Sequence, residues 1–265
     1  MEIKHSRLSI IVLTGNEAGV IETCLKSCLF ADELIVVLAN STDSTKEIIR
    51  DLFPKTLILE TSDEYNKNFS KWRNLGFGAS TGDWILYVDA DETITPSLKD
   101  EILLTVKNDG YSNYYVIPRQ NYFLGQRVSH GGTYPDYVKR LFKKGCFSGY
   151  EGILHEEPKV TGDFGYLKNS LLHFTHRYLE TMVDKTLAWT DMEAQNLHNN
   201  HHPPMSWWRF PRMFLWKFWR RFLVEQSYRD GVVGWISSIF ESFDTFYIYA
   251  RLWELQHYGK TRRYL

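Results

Sequence analysis

Residues 84–92 read Trp-Ile-Leu-Tyr-Val-Asp-Ala-Asp-Glu, an uninterrupted apolar run that ends in carboxylates. An apolar run of about four to eight residues between polar residues is typical of a strand that is buried on both faces. In an open parallel sheet, ligands bind in the crevice beyond the carboxyl ends of the strands. The stretch therefore predicts a buried strand whose end places Asp89 and Asp91 at a ligand site.

Upstream of this strand, the chain alternates strand-like and helix-like segments. Such alternation predicts successive βα units and a largely parallel, Rossmann-like sheet. Ser44 or Asp43 is the predicted N-cap of the second helix. The strand candidates are Leu8 to Leu13, Leu34 to Leu38 and Thr56 to Leu59, and the helical patterns that follow them run through Cys28, up to Pro54 and over residues 68–79.

Downstream, the pattern becomes less regular. A helix from Pro96 to Lys107 and a strand from Tyr114 to Ile117 are expected to complete a first half, residues 1–118. Residues 119–176 are rich in Gly, Tyr and His, with strand candidates at Val138 to Phe142 and Ser170 to Phe174. The prediction is a mixed, mainly parallel α/β sheet flanked by helices over residues 1–200, followed by a helical extension over residues 201–265.

The overall composition is that of a folded protein. The chain has 265 residues, of which 43% are hydrophobic, and a formal net charge of -1. This is enough apolar material for one α/β domain with an appendage. Since the chain has no basic surplus, it lacks the electrostatic attraction on which nucleic-acid binding depends, and we expect no nucleic-acid partner.

The N-terminal sequence favours a cytoplasmic protein, and the cysteines have no evident metal-binding pattern. The first apolar segment is only as long as a strand, and no small-residue cleavage site of a secretory signal follows it. Cys24, Cys28 and Cys146 lack the spacing of a zinc cluster, and we expect buried thiols.

The last 61 residues hold six of the nine tryptophans, interleaved with arginine and lysine. A helix with an apolar side and a basic side is typical of a helix that lies in a membrane interface, and a packed helical subdomain is the alternative. A second segment, Val232 to Leu255, carries charged residues, among them Glu241, Asp244 and Arg251, that argue against a membrane span. On the first helix, the apolar side comprises Phe214, Leu215, Phe218, Trp219 and Phe222, and the basic side comprises Lys217, Arg220 and Arg221.

The carboxylates after the central strand favour metal-assisted chemistry on a small phosphorylated ligand. A hard divalent cation, Mn²⁺ or Mg²⁺, is commonly held by one or two carboxylates together with phosphate oxygens. Asp89 and Asp91 suit that task, and Arg73, which precedes the small-residue turn at residues 78–82, is expected to reach a phosphate. An acidic turn that is merely solvated is the alternative.

Several further motifs occur in a fixed order around this strand. Together they resemble family 2 glycosyltransferases of the GT-A fold, and the resemblance covers about the first 120 residues closely. The segments that carry it are Asn16-Glu17, Asn40-Ser41-Thr42-Asp43-Ser44-Thr45, Arg73-Asn74, Gly82-Asp83-Trp84 and Asp89-Ala90-Asp91-Glu92. The later segments Tyr134-Pro135-Asp136, Arg140-Leu141-Phe142 and Leu154-His155-Glu156 resemble the subgroup that includes bacterial lipopolysaccharide-core β-glucosyltransferases.

This resemblance implies an inverting sugar transfer from a nucleoside diphosphate donor, with residues 1–118 as the nucleotide-sugar half and residues 119–200 as the acceptor half. Glu156 is the first candidate for the base, with Glu157 and Asp136 as alternatives and a salt-bridged surface glutamate as the structural alternative. Asp91 is the metal-binding carboxylate on which transfer is expected to depend. His173 and His176 are candidate metal ligands beside Asp89 and Asp91, with a hydrogen-bonded structural histidine as the alternative for each. The expected donor contacts are Thr14, Asn16, Glu17, Asn40, Asp43, Arg73, Asp89 and Arg140.

The resemblance also implies partners and leaves alternatives open. The expected acceptor is a lipid-linked saccharide such as lipopolysaccharide core, at an anionic membrane surface on the cytoplasmic face of the inner membrane. Leu38 stands where this family commonly has an aspartate that reads the base, so the nucleotide stays open, with uridine diphosphate favoured. A polyprenyl phosphate acceptor and a membrane-associated scaffold without turnover are the rivals, whereas a dehydrogenase is disfavoured because G-x-G-x-x-G is absent.

Overall fold

The computed structural model describes residues 6–61, 68–152 and 156–259. The chain divides into two compact units. We call Met1–Gln120 with Asp136–His173 the sheet unit, and Asn121–Pro135 with Phe174–Leu265 the helical unit. The last division falls after His173, and the helix Leu179–Asn199, which lies beyond it, packs with the C-terminal helices.

The order of strands and helices is as follows. The strands are β1 (Leu8–Thr14), β2 (Glu33–Ala39), β3 (Leu57–Thr61), β4 (Trp84–Asp89), β5 (Glu92–Ile94), β6 (Tyr114–Phe123), β7 (Gln126–Arg127), β8 (Asp136–Lys143), β9 (Phe147–Glu151), β10 (Glu157–Val160), β11 (Phe164–Tyr166) and β12 (Leu171–Thr175). The helices are α1 (Ile21–Cys28), α2 (Thr45–Leu52), α3 (Phe69–Ala79), α4 (Pro96–Lys107), α5 (Leu179–Asn199), α6 (Arg209–Trp219) and α7 (Gly231–Tyr258), and a π-helical turn, Arg220–Val224, continues α6.

The main sheet is mixed, with the strand order β3-β2-β1-β4-β8-β6-β12-β5. Strands β1 to β4 are parallel to one another, whereas β8 runs antiparallel to both of its neighbours. The carboxyl ends of β1, β2 and β4 meet at one edge, because Leu13 lies opposite Asp89 and Thr14 lies opposite Leu38. The predicted fold class, a mainly parallel sheet flanked by helices, is confirmed.

Both faces of this sheet are buried. Alternate residues of a strand point to opposite faces, and accordingly Ile10 and Leu86 belong to one hydrophobic cluster, whereas Ile11 and Tyr87 belong to another. Helix α3 contributes Trp72 to the second cluster. Since Asp89 is two residues beyond Tyr87 in the same strand, it lies on the face that α3 covers.

The regular half of the chain matches the prediction closely, whereas the irregular half contains more strand than its sequence pattern predicts. Helix α4 begins and ends as predicted, and Thr95 accepts a hydrogen bond from the backbone nitrogen of Leu98 at 3.2 Å as its N-cap. Strand β6, however, continues well beyond Ile117. Its later residues are polar in sequence, although Gln120 is buried. Hydrophobic periodicity alone therefore predicts an end of the strand that is too early.

Helix α3 packs unusually close to the sheet at Gly76. A Cβ atom on this residue would lie 2.5 Å from Cγ2 of Ile11 and 3.1 Å from Cγ2 of Val37. Only a residue without a side chain allows the helix to approach the sheet at this distance. The close approach also sets the position of Arg73, because α3 carries that residue.

The helical unit has its own apolar clusters, one around Phe123, Met182 and Val233 and another around Ala194, Leu252 and Leu255. Asp230 precedes α7 and accepts hydrogen bonds from the backbone nitrogens of Ser129 and His130, at 3.1 and 2.8 Å. Within the described residues, none of the helices is both long and apolar enough to span a bilayer.

The predicted separation of α6 into an apolar and a basic side is only partly right. Lys217 and Arg221, which the helical wheel places on the basic side, form ion pairs with Glu241 of α7 at 3.5 and 2.6 Å. Leu215 and Trp219 are exposed instead. A helical wheel gives the angle between side chains but does not show which side meets the neighbouring helix.

We predict that Gly76→Ala destabilises the protein by about 1–3 kcal/mol, because the added methyl group overpacks the interface between α3 and the sheet. Gly78→Ala in the same helix is the control, since a Cβ there would meet nothing within 4 Å. It is expected to stabilise by about 0.5–1 kcal/mol through helix propensity. Urea denaturation measures both, and equal stabilisation by the two substitutions would contradict the close approach.

A second prediction concerns Asp244 of α7. Burial raises its pKa to about 6, although a hydrogen bond from Thr186 acts in the opposite direction. The unfolded carboxyl group loses its proton near pH 4, so the contribution of this residue to stability falls between about pH 4 and pH 6 and is lowest above pH 6.

Asp244→Asn removes this penalty. It is expected to raise the free energy of unfolding by about 1 kcal/mol at neutral pH, after allowance for the partial exposure of the group, and to change little at pH 4. Denaturation at both pH values measures it, with the exposed Asp100→Asn as control. An equal effect at both pH values would show that ionisation is not the cause.

Candidate functional site

The site is built around the turn that joins β4 to β5. The backbone nitrogen of Asp89 donates to Oε2 of Glu92 at 2.9 Å, which closes the turn. The thiol of Cys24 donates to the carbonyl oxygen of Asp89 at 3.5 Å. Strand β4 is buried on both faces and ends at Asp89. The Asp89 side chain therefore lies where the chain leaves the sheet.

Two buried arginines hold the Asp89 carboxylate. Nη2 of Arg73 donates to Oδ1 at 2.9 Å, and Nη2 of Arg140 donates to Oδ2. Burial opposes ionisation of Asp89, but Arg140 and Arg73 more than offset it and hold the pKa of Asp89 well below its usual range. The carboxylate is therefore ionised at any physiological pH.

The network extends from Asp89 to a fully buried glutamate. Oε1 of Glu92 accepts hydrogen bonds from Nη2 of Arg140 at 2.8 Å and from Nη1 of Arg119 at 3.2 Å. Arg119 in turn donates from Nε to Oδ2 of Asp136 at 2.9 Å. A charge that is fully buried, as Glu92 is, is stable only when it is paired and hydrogen-bonded, so these residues depend on one another.

Aromatic rings complete the surroundings of Arg73. Its guanidinium lies 5.5 Å from the ring centroid of Tyr87 and 5.3 Å from that of Tyr150, and the Tyr87 hydroxyl donates to the carbonyl oxygen of Arg73 at 3.1 Å. Burial raises the pKa of Tyr150 to about 12. Burial also opposes the charge of Arg73, but Asp89 raises the pKa of Arg73 above its ordinary value.

Glu156, the first candidate for the base, is also held by Arg73. Nε of Arg73 donates to Oε1 of Glu156 at 2.8 Å, and the side chain of Glu156 is 22% exposed. Among the described residues, Oε2 of Glu156 and Nη1 of Arg73 are buried polar atoms without a hydrogen-bond partner. Such atoms are uncommon in folded proteins, so both are candidates for hydrogen bonds with a substrate.

The two alternative bases have different surroundings. Glu157 is exposed and pairs with Lys139 at 3.0 Å, whereas Asp136 is bound by Arg119. The Asn74 side chain holds β9 close to α3, because it donates to the carbonyl oxygen of Tyr150 at 2.9 Å and accepts from the Tyr150 nitrogen at 2.7 Å. The Arg73-Asn74 pair therefore positions both the carboxylate network and the strand that precedes Glu156.

The predicted metal ligands separate into two groups. Oδ2 of Asp91 lies 3.6 Å from Nε2 of His173, and each of these two side chains is 16% exposed. His176 belongs to the helical unit, where its ring packs against Phe123 at 5.2 Å. Within residues 6–61, 68–152 and 156–259, no group of three or more His, Cys, Asp or Glu side chains could hold a metal by itself.

The loops after β1 and β2 bind each other. Oδ1 of Asn16 accepts from the backbone nitrogen of Thr42 at 2.7 Å. Asp43 accepts from the backbone nitrogens of Ala18 at 3.1 Å and Thr45 at 3.0 Å. Ser44 makes no capping hydrogen bond with its side chain, so Asp43 takes that place at the start of α2. These polar side chains fix the shape of the two loops.

The other predicted donor contacts lie at the same edge. Thr14 is buried, and its hydroxyl has no hydrogen-bond partner among the described residues. The backbone nitrogen of Glu17 donates to Oγ1 of Thr45 at 2.9 Å. Asn40 adopts a left-handed backbone with φ of 50°, and Leu38 is buried in the sheet.

Glu92 and Arg119 belong to the site, although the sequence pattern did not predict them. In the sequence, Glu92 is only the last member of an acidic run, and a fully buried glutamate is rare unless it is paired. Its partners, Arg119 and Arg140, lie 27 and 48 residues away. The one sequence signal is an arginine directly after Pro118 in an apolar strand, and no local pattern connects it with Glu92.

The sequence model of Glycosyl transferase family 2 matches residues 9–172. An uncharacterized glycosyltransferase of Rickettsia bellii is 25% identical over 268 residues, which cover 96% of this chain and 88% of that protein. The glycosyltransferase SunS of Bacillus subtilis is 27% identical over 56% of this chain and 33% of its own length. The crystal structure of S. aureus TarS has a TM-score of 0.46 and 17% identity, and the similarity covers 96% of this chain and 52% of TarS.

The network predicts that Glu92→Gln destabilises the protein strongly. The substitution leaves Arg119 and Arg140 without the charge they share, and the loss of one partner from a buried ion pair costs about 3–5 kcal/mol. Glu151→Gln is the control, because it removes only the exposed pair with Lys159 and is expected to cost less than about 1 kcal/mol. Similar losses for both variants, measured by urea denaturation, would refute the interdependence of the network.

Proposed function

Because the chain belongs to glycosyl transferase family 2, we propose that it transfers a sugar from a nucleoside diphosphate donor to an acceptor hydroxyl, with inversion at the anomeric carbon. The observation that carries the proposal is the locked carboxylate of Asp89 at the carboxyl end of β4, with Glu156 on the same arginine. Ligand sites of open α/β sheets lie at this edge.

We assign the metal, Mn²⁺ or Mg²⁺, to Asp91 and His173. Their facing oxygen and nitrogen atoms suit a cation that takes its remaining ligands from the donor diphosphate. Asp89 is given a positioning role, because arginines already occupy both of its oxygens. When bound, the metal neutralises charge on the departing diphosphate.

Charge balance supports this assignment. The network contains three guanidinium groups, those of Arg73, Arg119 and Arg140, and four carboxylates, those of Asp89, Glu92, Asp136 and Glu156. Asp91 adds a further carboxylate nearby in the chain. A diphosphate that approaches an excess of carboxylates is repelled unless a cation accompanies it.

Glu156 is the proposed base. The acceptor oxygen attacks the anomeric carbon as its proton passes to Oε2 of Glu156, and the bond from that carbon to the diphosphate oxygen breaks on the opposite face. The nucleoside diphosphate leaves with the bonding electrons. Arg73 fixes Oε1, and this contact orients the other oxygen for proton transfer.

The donor that we favour is a uridine diphosphate sugar. Leu38 is buried and offers the base no hydrogen bond, whereas Asn40, at the end of β2, is a candidate for that contact. The proposed acceptor is a lipid-linked saccharide such as lipopolysaccharide core, at the cytoplasmic face of the inner membrane. The exposed aromatic side chains of the helical unit support an acceptor that is carried by a membrane.

The donor site is tested by calorimetric titration with uridine, guanosine and cytidine diphosphates, each with manganese and with a chelator. We expect manganese-dependent binding that prefers the uridine diphosphate. Asp91→Asn is expected to weaken this binding about a hundredfold or more, since it removes a charged metal ligand. Asp100→Asn, an exposed substitution on α4, is the control. Binding that is insensitive to the chelator would refute the metal assignment.

Catalysis is tested separately with Glu156→Gln. Loss of a general base is expected to slow sugar transfer by about 10²- to 10⁴-fold, while manganese-dependent uridine diphosphate binding persists. The exposed neighbour Glu157→Gln is the matched control. Release of uridine diphosphate in the presence of a lipid extract measures turnover, and analysis of the labelled product distinguishes a saccharide acceptor from a polyprenyl phosphate. Donor binding without turnover in the wild-type protein would favour a scaffold.

A further inference from the structure

Large apolar side chains are exposed along α6 and α7. We call this set the aromatic face. Trp216 is 65% exposed and Trp219 is 54% exposed, although side chains of this size usually contribute to cores or interfaces. The members of the aromatic face are Leu215, Trp216, Trp219 and Leu223 in and directly after α6, and Val232, Trp235, Ile239, Phe243 and Phe246 in α7.

The exposed residues of α7 follow one side of the helix. Their spacing is three, four, four and three residues, which keeps them on a single stripe. The buried residues of the same helix include four small ones, namely Gly234, Ser237, Ser238 and Ser242. A Cβ atom on Gly234 would lie 1.7 Å from the carbonyl oxygen of Ser227, so the small residues permit a close approach of the backbone.

Although α7 also buries Val233, Leu252 and Leu255, its stripe of small residues differs from the buried side of a helix that meets water. In water, the apolar stripe faces the core and the polar side faces solvent. Here the serines are inside and bind one another or the helix backbone, as Ser242 does by donating to the carbonyl oxygen of Ser238 at 2.6 Å. Helices in a lipid environment pack through small residues and turn large apolar residues outward.

Helix α6 also turns large apolar residues outward. Its Lys217, and Arg221 in the turn that follows it, face Glu241, while Trp216 and Trp219 lie outside. The stripes of α6 and α7 join at Trp235, whose ring centroid lies 4.0 Å from that of Phe222. The aromatic face therefore extends over two helices.

We propose that the aromatic face binds an anionic lipid bilayer, with its apolar side chains at the boundary between headgroups and acyl chains. Charge indicates lipid as the occupant, because residues 203–224 contain five basic residues and no acidic residue. Tryptophan and arginine are the residues that favour the membrane interface. This proposal identifies the surface with which the protein contacts the membrane that carries the acceptor. It rests on the proposed function only for the biological role of that contact.

The basic residues that remain available support anionic headgroups. Arg220 is 61% exposed, with Glu225 as its ion-pair partner, and the Arg212 guanidinium lies 5.1 Å from the Trp208 ring centroid. Each basic residue near an anionic surface strengthens binding by about fivefold. Lys217 and Arg221 contribute less than the sequence suggested, because Glu241 engages them.

Vesicle sedimentation without donor or acceptor tests the proposal independently of catalysis. The wild-type protein is expected to bind vesicles of phosphatidylcholine mixed with phosphatidylglycerol, and to bind phosphatidylcholine alone more weakly. Trp216→Ser combined with Trp219→Ser is expected to weaken binding about tenfold or more. Ile239→Ser combined with Phe243→Ser gives a second, independent variant on α7, and the exposed pair Leu104→Ser with Tyr111→Ser of the sheet unit is the control.

Wild-type binding by both double variants of the aromatic face, with circular dichroism unchanged, would overturn the proposal. So would a wild-type dimer that these variants convert to a monomer in sedimentation equilibrium, since the face would then be an interface between two copies of the chain. Retained uridine diphosphate binding by a variant that no longer binds vesicles separates the lipid surface from the donor site.

Discussion

The ion pairs between the carboxylate of Asp89 and the guanidinium groups of Arg73 and Arg140 are the constraint on which the rest of the site depends. The two arginines come from different parts of the chain, α3 and β8, and each is buried. Removing charges from water is costly, and the attraction between the partners offsets this cost only when they are well aligned. The sheet must therefore bring β4, β8 and α3 together accurately before the carboxylate and its arginines can be buried at all.

The packing of the sheet explains how that accuracy is reached. Strand β4 pairs with β1 so that Leu13 lies opposite Asp89, and this register fixes where Asp89 leaves the sheet. Helix α3 approaches the sheet at a residue without a side chain, Gly76. Arg73 lies one turn earlier in that helix, and its distance from β4 follows from the approach. The geometry of the site thus depends on the packing of the core.

The sequence was sufficient where local pattern and tertiary role coincide. Strand β4 and the carboxylates after it form one contiguous signal, and so the sheet edge could be predicted. The partnership of Glu92 with Arg119 could not, because the partners are distant in the chain and pairing depends on register. The prediction for the orientation of α6 was only partly right for a related reason. Periodicity placed Lys217 opposite the aromatic residues, but its ion pair with Glu241 of another helix does not follow from that periodicity.

Arg73 has a consequence beyond its separate contacts. A single guanidinium donates to Asp89 through Nη2 and to Glu156 through Nε, and it is rigid and planar, so it cannot improve one contact without affecting the other. Any event that changes the charge around Asp89 therefore changes the free energy of the Glu156 carboxylate, and thermodynamic linkage makes the influence equal in both directions. The carboxylates of Asp89, at the end of β4, and of Glu156, after β9, thus respond together, because the Arg73 guanidinium couples them.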